Sequence, residues 1–426
     1  MKFNAGVDKS AIVMFRLQGE HSDFDSRHHK GFRLRLGNGQ YTPLPFTQSY
    51  KYLGVWFDAQ GRTQQQFDHV CSKLRRASFF VTRVLRDVHP RIGIQLVNAT
   101  IRSILSYGLA FWQPSSAQLY RFDSCMAIPL RRVLGLPNST HTVSTLAACG
   151  IPCSRAILEH MQMRTAVRAA YQLSDDNPAH DMFTKALRRR YVTPLMKRAP
   201  LAARVKSLIR TGQWGDAALG LQQYDTGASR RVKRQLRDLC LKRGYSLWKG
   251  GGDASCPADA WSEKHHPTLH APIRPWYVGD PRKQLLCEPS LQFDDLVTAR
   301  LRARLRHGRA SFSARRHMYA PSSRLYAADP NCPECGDSVP ETSEHVLQSC
   351  PRFNVQRHQL DCELQSAQVS HSASVPPPPS YVSVCHAAVV SFAGLVPRGY
   401  RSSSLRSAWL SSTGKFLRSI HKLLPF

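Results

Sequence analysis

Phe67, Val70, Cys71, Leu74, Ala77 and Val81 recur with the 3.6-residue period of a helix face, and Ser78 falls in the same row. Together they predict an amphipathic helix over 64–87. Pro90 suits the first turn of a second helix, expected to run from Ile92 to Trp112. Ala117 to Leu134 gives a third, stopped by Gly135. Ser144 to Cys149 is a short one ended by Gly150, and Ser154 to Leu173 a fifth, halted by the polar run Ser174 to Pro178. The connections are short, so this stretch predicts an all-α bundle. Upstream the pattern is that of strands. Ala11 to Phe15 is a short apolar run, Tyr50 to Phe57 is aromatic and β-branched, and Gly37-Asn38-Gly39 between them signals a turn. Downstream, Val232, Leu236, Leu239, Cys240 and Tyr245 keep helical spacing, Phe293 to Met318 returns to helix, and Ser403 to Leu424 ends the chain as a basic amphipathic helix. Gly250 to Pro275 and Ser370 to Ser380 are Gly-, Pro- and Ser-rich and read as linkers.

The expected fold is therefore mainly α. A small β-hairpin unit covers 1–60, a helical bundle 61–178, a basic helical connector 179–249, a linker 250–290, an Arg-rich helix with a cysteine module 291–358, a second linker 359–380, and a basic helical tail 381–426.

Charge changes the picture most. The 426 residues include 59 Lys+Arg against 29 Asp+Glu, a formal +30. A soluble chain so unbalanced repels itself until polyanions neutralise it, and nucleic acid is the expected polyanion. A ribosome-surface or membrane-surface binder is the alternative. Residues 185–249 hold 17 Lys and Arg but only Asp216, Asp225 and Asp238 as acids. Arg188, Arg189, Arg190, Arg230, Arg231, Lys233 and Arg234 are the candidate phosphate contacts there. Arg300, Arg302, Arg304, Arg315 and Arg316 are candidates on the later helix, with Phe312, Tyr319 and Tyr326 available for stacking. The longest apolar run, Ala387 to Val396, is far short of the ~18 residues of a membrane span. The 12 Cys are scattered, which suggests reduced thiols and an intracellular place, nuclear or in a cytoplasmic ribonucleoprotein.

Four residues break that scatter. Cys332 and Cys335 form a C-x2-C pair, with His345 and Cys350 completing C-x2-C-x9-H-x4-C. Such a pair presents two thiolates from one turn, here shaped by Pro333 and Gly336. A short helix over 341–347 would bring His345 and Cys350 to close a tetrahedron. All four ligands come from the chain, so the expected ion is a structural Zn²⁺ with no open position for water. Cys149, Cys153, Cys362 and Cys385 have no matching partners and are expected to be structural.

The motifs, taken in order, resemble the C-terminal part of a non-LTR (LINE-type) retrotransposon reverse transcriptase. Phe3-Asn4-Ala5 and Lys9 to Phe15 are similar to the palm segment after the catalytic aspartates. Tyr50 to Asp58, with Tyr52-Leu53-Gly54, is similar to the primer-grip strand. Ile101 to Trp112 resembles a thumb helix. Arg131 to Pro137, Thr140-His141 and Gly150-Ile151-Pro152 resemble the run that follows it. The Arg-rich helix and Cys/His motif resemble the family's C-terminal zinc knuckle. The resemblance implies a palm remnant, a helical thumb and a zinc knuckle that bind RNA, DNA or an RNA–DNA hybrid, with oligomeric state left open.

It also implies what to look for in catalysis. The family's polymerase handles dNTPs with two Mg²⁺ between carboxylates. The hairpin carrying the aspartate pair belongs just before Met1, so Mg²⁺ is expected only with that missing palm, and this chain alone is expected to be inactive. Asp175-Asp176 and Asp294-Asp295 lack the flanking strands to replace the pair, and Lys9, similar to the family's proton-donating lysine, has nothing to protonate. After Cys350 only Asp361 and Glu363 remain, too few for a nuclease. Two alternatives stand beside a truncated fragment: the C-terminal portion of an active RNA-directed DNA polymerase with a mis-assigned start, and a domesticated zinc-containing RNA-binding protein.

Overall fold

The computed structural model describes residues 33–35, 39–43, 47–59, 63–85, 88–112, 114–171, 294–307, 329–369 and 403–423, with the isolated positions 205 and 207. The described part is mostly helical, with small two-stranded antiparallel sheets. Strands β1 (Arg33–Arg35) and β2 (Tyr41–Pro43) pair in one hairpin, and β3 (Ser49–Tyr52) and β4 (Val55–Asp58) in another, with Tyr52 opposite Val55. Leu53 (φ 47°) and Gly54 (φ 83°) make the second turn, both left-handed as a type I′ hairpin loop requires.

Helix α1 (Gln64–Val84) buries Phe67, Val70, Cys71, Leu74, Ser78 and Val81, the row read from the sequence. The second helix differs from expectation. α2 (Pro90–Val97) runs through a wider turn at Asn98–Arg102 into α3 (Ser103–Ser106), and Gly108, at φ 70°, breaks it before Trp112. The break has a use: a Cβ on Gly108 would lie 2.7 Å from Val55 Cγ2, so the glycine lets the β3–β4 hairpin approach.

Helix α4 (Ser116–Leu134) is the spine of the bundle. Ser115 and Gln118 form a capping box at its start. At its end Gly135 takes the left-handed position, and the Leu136 amide reaches back to the Arg131 carbonyl at 2.8 Å, a Schellman stop. Pro129 sits inside it and leaves the Cys125 carbonyl without its helical donor. Ser78 Oγ of α1 donates to that carbonyl at 2.9 Å, so one helix repairs the other inside the core. Phe122 completes the α1–α4 interface, with ring centres 5.3 Å from Phe67 and 5.8 Å from Trp112. α5 (Thr142–Ala148) and α6 (Ser154–Tyr171) close the bundle. The buried Asp123 carboxylate accepts from both N and Oγ of Ser154 at 2.6 Å, capping α6 across the core.

Helix α7 (Leu296–Arg306) joins two cores. Ala299 and Ala303 belong to the bundle core, and Leu305 to a second, smaller one with Val346, Leu347, Phe353, Leu360, Leu364, Phe416, Leu417 and Ile420. That core is built from α8 (Ser343–Gln348), α9 (Asn354–Val369) and α10 (Ser403–Leu423) around the hairpin β5 (Asn331–Cys332) and β6 (Gly336–Pro340). Among the described residues no helix is long and apolar enough to cross a membrane.

Candidate metal centre and nucleic-acid surfaces

Cys332 ends β5, and the Cys335 amide donates to its carbonyl at 3.2 Å, which closes the knuckle before Gly336 turns at φ 84°. A side chain would be strained at that angle, so the glycine is required by the turn. Thr342 N-caps α8 through the His345 amide at 3.1 Å, which sets His345 on the first turn facing the knuckle. The chain then bends back so that Cys350 returns to Cys332, with Sγ atoms 3.7 Å apart. A disulfide needs about 2.05 Å, whereas thiolates at two corners of a Zn–S tetrahedron with ~2.3 Å bonds lie about 3.8 Å apart. One ligand atom from each of Cys332, Cys335, His345 and Cys350 lies within 4.8 Å of all the others. The set is compatible with a zinc site.

The histidine gives an independent test of that fit. Its Nε2 is buried with no hydrogen-bond partner, while Nδ1 lies 3.1 Å from Ser349 Oγ. Ser349 Oγ donates to the His345 carbonyl at 3.3 Å, so it is left to accept from Nδ1–H. That tautomer leaves the orphaned Nε2 lone pair free for a metal, with Ser349 orienting the ring from behind. Without a cation the Cys350 and Cys335 thiols resist ionisation. Burial, reinforced by the Cys332 and Cys335 thiols, pushes Cys350 up to about 12, and Cys335 is raised as well. A divalent cation reverses this logic, because it binds the thiolates and not the thiols.

Arg357 completes the module. It is only 1% exposed, and its guanidinium donates to the Val346 carbonyl at 3.1 Å and to the Cys350 carbonyl and Asn354 Oδ1. All three partners are uncharged oxygens. With Zn²⁺ bound, three thiolates and a neutral histidine would carry one net negative charge, which this buried cation would balance. The sequence reading missed Arg357; no spacing marks an arginine that acts through backbone carbonyls.

The arginines of α7 are placed differently from what their abundance suggested. Arg302 is 1% exposed and pairs with Asp294 at 2.8 Å, with Thr413 Oγ1 at 3.2 Å. It is taken up inside the protein and does not face a phosphate. Arg300 Nε donates to the Val133 carbonyl at 3.2 Å and Arg304 Nε to the Gly135 carbonyl at 2.9 Å. These carbonyls lie in the last turn of α4 and at the glycine that stops it, where cations stabilise a helix end. The helical rotation explains the split: positions i and i+4 face α4, and i+2 faces α10. Asp294 and Asp295 stand at the start of α7, where acidic residues suit the helix dipole. Asp295 caps α7 through Thr298 at 3.0 Å and pairs with Arg418, and both Thr298 and Arg418 hold its carboxyl below the usual range against the opposing effect of burial.

Tyr52-Leu53-Gly54 forms the tip of the β3–β4 hairpin, with Tyr52 60% and Leu53 72% exposed. Tyr107 Oη donates to the Leu53 carbonyl and fixes the tip against the end of α3. Lys9, Arg188, Arg189, Arg190, Arg230, Arg231, Lys233, Arg234, Arg315 and Arg316 lie outside the described residues, as do Asp175-Asp176, Phe312, Tyr319 and Tyr326. No family model, curated protein or solved structure matches the chain.

Proposed function

We propose that this chain is a nucleic-acid-gripping part of a LINE-type retroelement reverse transcriptase, binding RNA, DNA or primer–template hybrid. The observation that carries the binding is the +30 excess of 59 Lys+Arg over 29 Asp+Glu. The family is supported by the order of motifs and by their assembly. A Tyr-Leu-Gly hairpin tip stands exposed at the edge of an all-helical bundle, tied to it by Tyr107 and Gly108, and an Arg-bearing helix follows into a Cys3His module. On this reading Tyr50 to Asp58 is the primer grip, the bundle is the thumb and the module is a zinc knuckle. Zn²⁺ would be held by Cys332, Cys335, His345 and Cys350 and would supply structure and not catalysis, since the chain fills all four positions.

The chemistry of polymerisation needs metal-binding carboxylates brought together on neighbouring strands, and among the described residues no two paired strands carry them. Asp294 and Asp295 are occupied by Arg302, Thr298 and Arg418. The test is a binding titration of the purified chain with RNA, DNA and RNA–DNA primer–template across a salt series, with dNTPs and Mg²⁺ added in parallel. Tight binding whose logarithm falls linearly with log salt, without primer extension, is the expected result. A folded chain that ignores nucleic acid at low salt would end the proposal. Preference for single strands over primer–template would favour a zinc-containing RNA-binding protein instead.

A further inference from the structure

The outward side of α1 carries an arrangement that its apolar core does not use. His69, Lys73, Arg76, Phe80 and Arg83 follow one another at i, i+4, i+7, i+11 and i+14, with Phe79 on the far side of the Arg76–Arg83 line. Phe79 is 66% exposed and Phe80 68%. Adjacent aromatics left in water, with Val84 half-exposed one turn beyond, mark a contact surface. The Arg83 guanidinium lies 5.8 Å from the centre of the Phe79 ring. At the other end the β3–β4 hairpin extends the same stripe. Trp56 meets His69 edge-on at 6.4 Å, and Lys51 Nζ lies 6.0 Å from the Trp56 ring centre. Burial lowers the His69 pKa, and so do the nearby cations Lys51, Lys73 and Arg76. The helix has a single acid, Asp68, which Gln64 engages at 3.0 Å. It lies about 16 Å along the axis from Phe79.

We propose that this stripe is a platform for single-stranded nucleic acid, with Phe79 and Phe80 stacking on bases while Lys51, Lys73, Arg76 and Arg83 hold phosphates. The proposal rests on the nucleic-acid reading above, and adds a site and a strand state that reading leaves open. A duplex hides the faces of its bases and offers phosphates, which phenyl rings cannot use; an unpaired strand offers both. An apolar protein partner would also cover the rings. A face with four cations and no carboxylate among its phenylalanines instead matches a polyanion with π faces.

The test uses the full, zinc-loaded chain, a labelled oligouridine RNA and an RNA–DNA duplex. Phe79→Ala/Phe80→Ala is expected to weaken single-strand binding about thirtyfold, since stacking contributes on that scale. Duplex affinity should change less than about twofold, and the salt slope should not move because no charge is lost. Arg76→Gln/Arg83→Gln should reduce that slope by about 1.4. Phe80→Trp should keep the affinity and show indole emission quenched by the oligonucleotide. If the wild-type chain binds RNA, the double alanine variant binds it equally and the tryptophan stays bright, the platform is overturned while the nucleic-acid reading stands. Absence of binding by the wild-type chain overturns both. Loss of a sedimenting dimer in the alanine variant, with RNA affinity intact, would show that the face docks a second copy and overturns the platform.

Discussion

The helical bundle and the cysteine module share α7, yet they are closed by different means. The bundle buries a broad apolar interior from Phe67 to Ile157, and its polar residues make local repairs: Ser78 on the carbonyl freed by Pro129, Asp123 on the start of α6. The module has a smaller interior, and Cys332 and Cys350 sit in it. A core of that size holds few apolar contacts to set against chain entropy, so a cross-link or metal is the expected supplement. Side-chain packing closes the side of α7 that faces the bundle, and a metal held by the Cys3His set would close the other.

Metal removal breaks this comparison most directly. Structural zinc in small modules contributes on the order of 10 kcal/mol. Cys350→Ser, or a strong chelator, is expected to abolish metal binding and strip amide protection from 331–369 and α10, while α1 to α6 stay protected. Cobalt absorption and hydrogen exchange would report this. If the bundle opened in step with the module, the two would be a single cooperative unit.

The joint comes next in size. Asp294→Ala leaves Arg302 buried without its partner, which costs about 3–5 kcal/mol. Replacing both residues by leucine should cost much less. The expected readout is detachment of α10 from α7, followed by exchange of amides around Thr413, with metal affinity kept. Loss of metal affinity in the single variant would mean that the joint also shapes the site.

Arg357→Leu sharpens the coordination side. If the guanidinium balances the charge of the loaded centre, zinc affinity should fall about 10- to 100-fold, the range for outer-shell partners. Unchanged affinity in a competition titration would leave Arg357 as a packing residue. Ser78→Ala probes the bundle on a similar scale. It leaves the Cys125 carbonyl buried and unpaired, at a cost of about 1–3 kcal/mol. In a Pro129→Ala background the backbone amide returns to that carbonyl, and the same substitution should cost little. A double-mutant cycle in denaturant with no coupling would refute the repair.

How much of this was legible in the sequence follows from range. The α1 row, the Gly135 stop and the Cys/His spacing are set by residues within a few turns of each other, and the structure reproduces each. The break at Gly108 depends on Val55 across the hairpin, so a local pattern continued the helix to Trp112. The α7 arginines were harder still. Their number implied a charged face, but their partners, Val133, Gly135 and Thr413, are more than a hundred residues away, apart from Asp294 nearby. Composition counts charges; only packing decides which of them remain available to a ligand.

Leu53 offers the smallest effect and a test of what the hairpin tip is for. A leucine at φ 47° is held in the left-handed region, which costs an L residue roughly 1 kcal/mol, and asparagine before glycine is the favoured pair for this turn. Leu53→Asn should therefore stabilise the bundle by about that amount in a denaturant titration, with the Tyr107 bond to the residue 53 carbonyl retained. A side chain that is strained and 72% exposed contributes nothing to the core. If the tip grips a primer, the stabilised variant should bind primer–template more weakly than the wild-type chain, the trade expected where strain serves function. If it is more stable and binds equally well, the leucine has no role at the tip, and the primer-grip assignment loses its central residue.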